Sequence, residues 1–137
     1  MTSVLITKKQ RGQLGVIVVT VLTPPQTSRG KFSCKFDCYY CPNEPGQARS
    51  YLTLEPAVSR ANRMGYDIIF QFRDRLKAYK ANGHPLDKIE LLVLGGTWNS
   101  YHIEDQVDFI SQMIMECIMN KKLCCQVRHE ILLQRCI

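Results

Sequence analysis

Gly15-Val-Ile-Val-Val-Thr-Val-Leu22 is a short, nearly continuous apolar run rich in β-branched residues, and its reading sets the fold class. Side chains alternate between the two faces of a strand, so apolar residues at almost every position predict a parallel strand buried on both faces. The next stretch, Thr23 to Tyr51, contains Pro24, Pro25, Gly30, Pro42, Pro45 and Gly46, and is too punctuated for a regular element. A loop of that length is uncommon unless it carries a site. Helix is expected from Pro56, whose missing donor suits a first turn, with Glu55 favouring the positive end of the helix dipole. Gly65 interrupts it, and Asp67 caps a second helix in which Ile68, Phe72, Leu76 and Tyr79 fall at spacings of three and four. Asn82-Gly83 ends that helix. Lys88 to Leu94 is a second apolar strand stopping at Gly95-Gly96-Thr97, and Val107, Ile110, Ile114 and Ile118 mark the expected inner face of a third helix. The order strand, loop, helix, strand, helix predicts an α/β fold, a partial TIM-like barrel with parallel strands, crossover helices and sites at the carboxyl ends of its strands.

Cys34, Cys38 and Cys41 lie in the loop after the first strand, spaced Cys-x3-Cys-x2-Cys. Three thiolates within eight residues can close on one soft metal centre. A 4Fe-4S cluster held by three cysteines keeps one iron for a substrate, whereas a structural zinc site would need completion by His84, His102 or a fourth cysteine. Structural zinc sites usually come as two paired halves, and Cys124-Cys125 are poorly placed to form the second. Cys117, beside Ile114 and Ile118, reads as a buried, inert thiol.

The chain of 137 residues is 45% hydrophobic, enough for one modest core, and no stretch reads as transmembrane. Seven cysteines and an N-terminus without a secretory signal argue for reduced thiols or metal ligation in the cytoplasm. A formal charge of +6 and a pI near 9.0 favour a polyanionic partner. Arg60, Arg63, Arg73, Arg75, Lys77 and Lys80 read either as solvated helix faces or as a nucleic-acid patch.

The cysteine spacing, with Tyr40 just before the third cysteine, resembles the signature of the radical S-adenosylmethionine superfamily. The resemblance implies a 4Fe-4S cluster on Cys34, Cys38 and Cys41, whose fourth iron chelates S-adenosylmethionine for one-electron cleavage of the sulfonium bond. It also implies contact of Gly95-Gly96 with the methionyl amino group, glycine permitting close backbone approach, and it counts Tyr40 and Thr97 among the cofactor-binding residues.

A narrower resemblance covers roughly Gly15 to Tyr101. Cys38-Tyr-Tyr-Cys-Pro42, Arg49-Ser-Tyr-Leu-Thr-Leu-Glu-Pro-Ala-Val-Ser-Arg-Ala61 and Asn82-Gly-His-Pro-Leu-Asp-Lys-Ile-Glu-Leu-Leu-Val-Leu-Gly-Gly-Thr-Trp98 resemble the Elongator catalytic-subunit family of tRNA uridine acetyltransferases. This implies carboxymethyl-type modification of the wobble uridine with S-adenosylmethionine and acetyl-CoA, tRNA as partner, and Lys88 as an acetyl-CoA-linked lysine. The reading divides the chain into a tail (1–13), a partial radical-SAM core (14–120) and a divergent segment (121–137), with no acetyltransferase domain. Other subunits could complete the barrel, and no membrane partner is expected. Eukaryotic members have two glycines where this chain has Asn43-Glu44, and a wider first cysteine gap. A metal-binding remnant or a small zinc-binding nucleic-acid module are the competing expectations.

Overall fold

The computed structural model describes residues 15–31 and 38–119, together with the backbone of 124–129. Its elements are β1 (Ile17–Leu22), β2 (Gln26–Thr27), β3 (Gly30–Lys31), α1 (Pro56–Arg63), α2 (Ile68–Ala81), β4 (Lys88–Leu94), a 3-10 turn (Trp98–Ser100), α3 (Ile103–Met119) and β5 (Cys124–His129). β1, β4 and β5 form one sheet in that spatial order, with both pairings parallel. The architecture is therefore mixed α/β with a parallel sheet; the described strands form an open sheet, not a closed barrel. β5 pairs Cys124–His129 with Lys88–Val93, so part of the segment set apart as divergent belongs to the sheet. No apolar periodicity announced it.

In β1, Ile17, Val19 and Val21 stand in register with Ile89, Leu91 and Val93 of β4 and share a face. That face packs on Ile68, Phe72 and Tyr79 of α2 and on Phe109 and Met113 of α3. Burial on both faces of β1 was the expectation, yet Val18 on the other face is 42% exposed. The reason is that α2 and α3 both pack on the first face. A second cluster at the carboxyl end of the sheet joins Leu22 and Leu94 to Ala48, Tyr51, Val58 and Ala61, so α1 and the loop before it roof that end.

α2 follows its sequence closely. The Asp67 carboxylate accepts from the Phe70 N–H at 2.8 Å, and the turn ends at Asn82 and Gly83, where Gly83 has φ +76°. Ile68, Phe72 and Tyr79 are buried, and Leu76 packs against them. Two polar groups of α2 also reach the outer edge of β1. The Leu22 N–H donates to Gln71 Oε1 at 2.9 Å, Gln71 Nε2 donates to the Leu22 carbonyl at 2.9 Å, and the Tyr79 hydroxyl donates to the Val18 carbonyl at 2.9 Å. Side chains thus stand in for a neighbouring strand on an edge that would otherwise leave buried backbone groups unpaired. At α1, Glu55 precedes the helix as expected, but its carboxylate accepts from the Leu52 N–H at 3.0 Å instead of capping the helix.

α3 corrects the sequence reading. Val107, Ile114 and Ile118 are 56%, 46% and 62% exposed, while Phe109, Met113, Glu116 and Cys117 are buried and Ile110 lies between. The helix is apolar around most of its circumference, so periodicity admits more than one inner face. Packing chooses: Phe109 meets the edge of Trp98, and Glu116 takes two hydrogen bonds from Arg73 of α2, Nε to Oε1 at 2.7 Å and Nη2 to Oε2 at 2.9 Å. Cys117 is buried as expected, but it is disulfide-bonded rather than an inert thiol.

The expected featureless loop from Thr23 to Tyr51 opens with the β2–β3 hairpin. Arg29 at its tip reaches α3, with Nη1 2.5 Å from Asp105 Oδ1 and 3.3 Å from Asp108 Oδ2. Thr27 Oγ1 adds a hydrogen bond to Asp105 Oδ2 at 3.1 Å. The hairpin is thereby tied down at the root of the cysteine loop. Among the described residues, no helix is long and apolar enough to cross a membrane.

Candidate functional site

Parallel strands deliver their connecting loops to one edge of the sheet, and the loop that bears Cys38 and Cys41 leaves β1 at its carboxyl end. Cys34 lies outside the described residues. Cys38 and Cys41 do not: the Cys41 N–H donates to the Cys38 carbonyl at 3.1 Å, closing a four-residue turn, and both are thiols rather than disulfide sulfurs. Tyr39 and Tyr40 occupy the middle of that turn and are fully and largely exposed, at 110% and 80%. An exposed ring beside two thiols is available to stack on a ligand.

The cysteine turn is the first of three hydrogen-bonded turns along this stretch. The Ser50 N–H donates to the Pro42 carbonyl at 3.1 Å, and Ser50 Oγ donates to Cys41 Sγ at 3.3 Å. A second turn, Glu44 to Gln47, places Pro45 and Gly46 in its middle, where Gly46 at φ +78° takes the left-handed conformation that favours glycine. In the third, Ala48 to Tyr51, the equivalent position belongs to Ser50 at φ +77°. A left-handed serine costs about 1–2 kcal/mol relative to an ordinary backbone. Glu44, which stands where eukaryotic relatives were expected to have glycine, accepts from the Thr53 N–H at 2.8 Å and from its hydroxyl. The Thr53 hydroxyl and N–H hold the Glu44 carboxyl below its ordinary value. Gln47 Oε1 accepts from the Tyr66 hydroxyl at 2.6 Å and from Asn62 Nδ2 at 3.1 Å, tying the loop to the end of α1.

Ala48 and Tyr51, which bound the last of these turns, pack on Leu22 and Leu94 at the carboxyl ends of β1 and β4. Gly95 is required by its neighbours. A Cβ there would fall on Thr23 Oγ1 and sit 3.0 Å from the Tyr101 hydroxyl. Thr23 and Tyr101 are buried and hydrogen-bonded to each other, and burial pushes the Tyr101 phenol well above its usual value despite that bond. Trp98 packs beneath the edge against the rings of Tyr101 and Phe109, at centroid distances of 5.5 and 5.8 Å. A cavity of about 280 Å³ opens between the hairpin and the starts of α2 and α3, lined in part by Thr23, Arg29, Asp67, Trp98, Tyr101 and Asp105.

Cys38, Tyr40 and Cys41 share one turn in the loop that follows β1, and Gly95, Gly96 and Thr97 follow β4 directly. Lys88 stands apart from both groups: it is exposed at the amino end of β4, and seven strand residues set it about 23 Å from Gly95. Arg60 and Arg75 are partly buried, Arg75 lying over the Tyr79 ring at 4.8 Å, and Arg73 is paired with Glu116, so the basic helix positions do not form one uniform solvated face. Thr23, Ser50, Gln71 and Tyr101 escaped the sequence reading. Gln71 alone left a signal, a polar residue three positions after Ile68 on an otherwise apolar face.

Two thiols in one turn, one of them accepting a hydroxyl hydrogen bond, suit a soft metal such as iron in an iron-sulfur cluster. Among the described residues, no three His, Cys, Asp or Glu side chains are grouped to hold a metal; the third expected ligand, Cys34, is outside them.

These features define an α/β segment built on a parallel sheet, with a thiol-bearing loop at its carboxyl edge. The tRNA uridine(34) acetyltransferase of Dehalococcoides mccartyi is 39% identical over 103 residues, covering 75% of this chain and 21% of that protein. That of Methanocaldococcus infernus is 36% identical over 106 residues, 73% of this chain and 19% of that protein. Elongator complex protein 3 of Saccharomyces cerevisiae is 34% identical over 111 residues, 77% of this chain and 20% of that protein. The chain belongs to the family of these proteins and spans about a fifth of the length of the relatives it matches. No family model matches it.

Proposed function

We propose that this chain is the cluster-binding part of a radical S-adenosylmethionine protein that modifies the wobble uridine of tRNA in the cytoplasm. The observation that carries this reading is the Cys38–Cys41 turn, two thiols in one turn of the loop that follows a parallel strand, in a chain of this family. Cys34, Cys38 and Cys41 would hold a 4Fe-4S cluster, and Tyr40 with Gly95, Gly96 and Thr97 would orient S-adenosylmethionine. The bound cluster and S-adenosylmethionine would supply one-electron chemistry at the sulfonium.

The protein's own part is placement. Glu44 and Ser50 hold the thiol turn, Thr23 and Tyr101 fill the space beside Gly95, and Trp98 supports that edge from below. The open sheet fits the first strands of a TIM-like barrel, completed by further residues of the same protein or by another subunit; the half-exposed second face and the exposed apolar residues of α3 support this. Acetyl-CoA would meet Lys88 at the opposite edge, away from the cluster. A basic chain with pI near 9.0 suits tRNA.

The test is anaerobic reconstitution with iron and sulfide, followed by electron paramagnetic resonance of the reduced protein with and without S-adenosylmethionine. A 4Fe-4S signal that shifts with S-adenosylmethionine and vanishes in Cys38→Ala is expected. Stoichiometric zinc with no cluster would overturn the reading in favour of a structural metal module.

A further inference from the structure

We propose that Ser50 is a positioning residue for Cys41, kept in a strained backbone conformation because its hydroxyl donates to the sulfur that binds metal. The inference rests on the cluster reading above. Ser50 and Tyr66 are the non-glycine residues with positive φ among those described, at +77° and +58°. For Tyr66 the ending of α1 accounts for the conformation: its N–H reaches back to the Ala61 carbonyl at 2.8 Å, directly after Gly65. Ser50 terminates no helix. It occupies the third position of the Ala48–Tyr51 turn, where glycine would be relaxed, as Gly46 is in the turn just before it.

What serine adds to glycine there is a hydroxymethyl group, and its hydroxyl donates to Cys41 Sγ at 3.3 Å. The same residue's N–H donates to the carbonyl of Pro42, directly after Cys41, at 3.1 Å. Two bonds from one residue thus fix the sulfur and the chain just beyond it, and the strained φ aims both at the cysteine turn. Strain of this kind persists where the surroundings over-determine it, and it concentrates at sites. A donor to a ligating sulfur orients the ligand and stabilises the more negative, reduced state of a cluster.

The test compares the Ser50 protein with Ser50→Gly and Ser50→Ala. Glycine removes the hydroxyl and relieves the backbone; alanine removes the hydroxyl and keeps the strain. Metal-free S50G should melt at a higher temperature than the parent, and S50A should not. Both reconstituted variants should lose iron to a chelator about tenfold or more faster than the parent. Both should also show a cluster reduction potential shifted to lower values. Equal iron retention and an unchanged potential would make Ser50 a turn residue only and overturn the proposal. If the parent takes up no cluster, the functional reading fails by itself, and cobalt(II) titration of the same three reduced proteins then decides Ser50. An affinity at least tenfold weaker in both variants upholds it, and equal affinity overturns it.

Discussion

Gln71 closes the outer edge of β1, and its replacement gives a quantitative test of that role. Gln71 and Leu22 are 5% and 1% exposed, and the glutamine amide both accepts from the Leu22 N–H and donates to the Leu22 carbonyl, each at 2.9 Å. Gln71→Leu keeps the volume and leaves both backbone groups buried without a partner. At about 1–3 kcal/mol for each stranded group, the expected loss is roughly 2–6 kcal/mol, a fall in Tm of about 10–20 °C. Gln71→Glu adds a pH signature. A protonated carboxyl can accept from the N–H and donate to the carbonyl, whereas a carboxylate faces that carbonyl in a buried site. Its folded-state pKa is therefore raised above the unfolded value of about 4.3. Its contribution is complete below that unfolded value and is lost as pH rises toward the folded value. Thermal and urea unfolding followed by circular dichroism should show Q71E above Q71L in stability near pH 4 and the advantage gone near pH 8. A Q71L loss under about 0.5 kcal/mol, or a Q71E–Q71L difference that ignores pH, would refute the reasoning, since exposed surface changes fall in that range.

Gly95→Ala drives a methyl group onto Thr23 Oγ1 and should cost about 1–3 kcal/mol. Thr23→Ala in the same chain should return part of that cost, and an additive double-mutant cycle would show that the two residues do not share this space. The Tyr101 phenol, raised by burial, favours the folded state fully below the unfolded value near pH 10, and that contribution is lost as pH climbs above it. In Tyr101→Phe the alkaline fall in stability should be shallower than in the parent. A phenol at position 101 that ionises with the exposed tyrosines while the chain is still folded would contradict this.

Elements whose signals are local were legible in the order of residues alone. Asp67 and Asn82-Gly83 bracket α2 because capping and left-handed turns depend on a few adjacent residues. The apolar runs at 17–22 and 88–94 became parallel strands, and Cys38 and Cys41 close a turn in the loop that follows the first of them. Tertiary structure decided what depends on partners distant in sequence. The face that α3 buries is set by Arg73–Glu116 and Trp98–Phe109, because the apolar period of the helix admits several. Gly95 owes its identity partly to Thr23 and Tyr101, and Ser50 its strained φ to the Cys41 sulfur. A linear pattern records which residues are apolar and how they are spaced. It does not record which distant side chain will fill the space beside a glycine or accept a hydroxyl proton, because those contacts exist only after the chain has closed on itself.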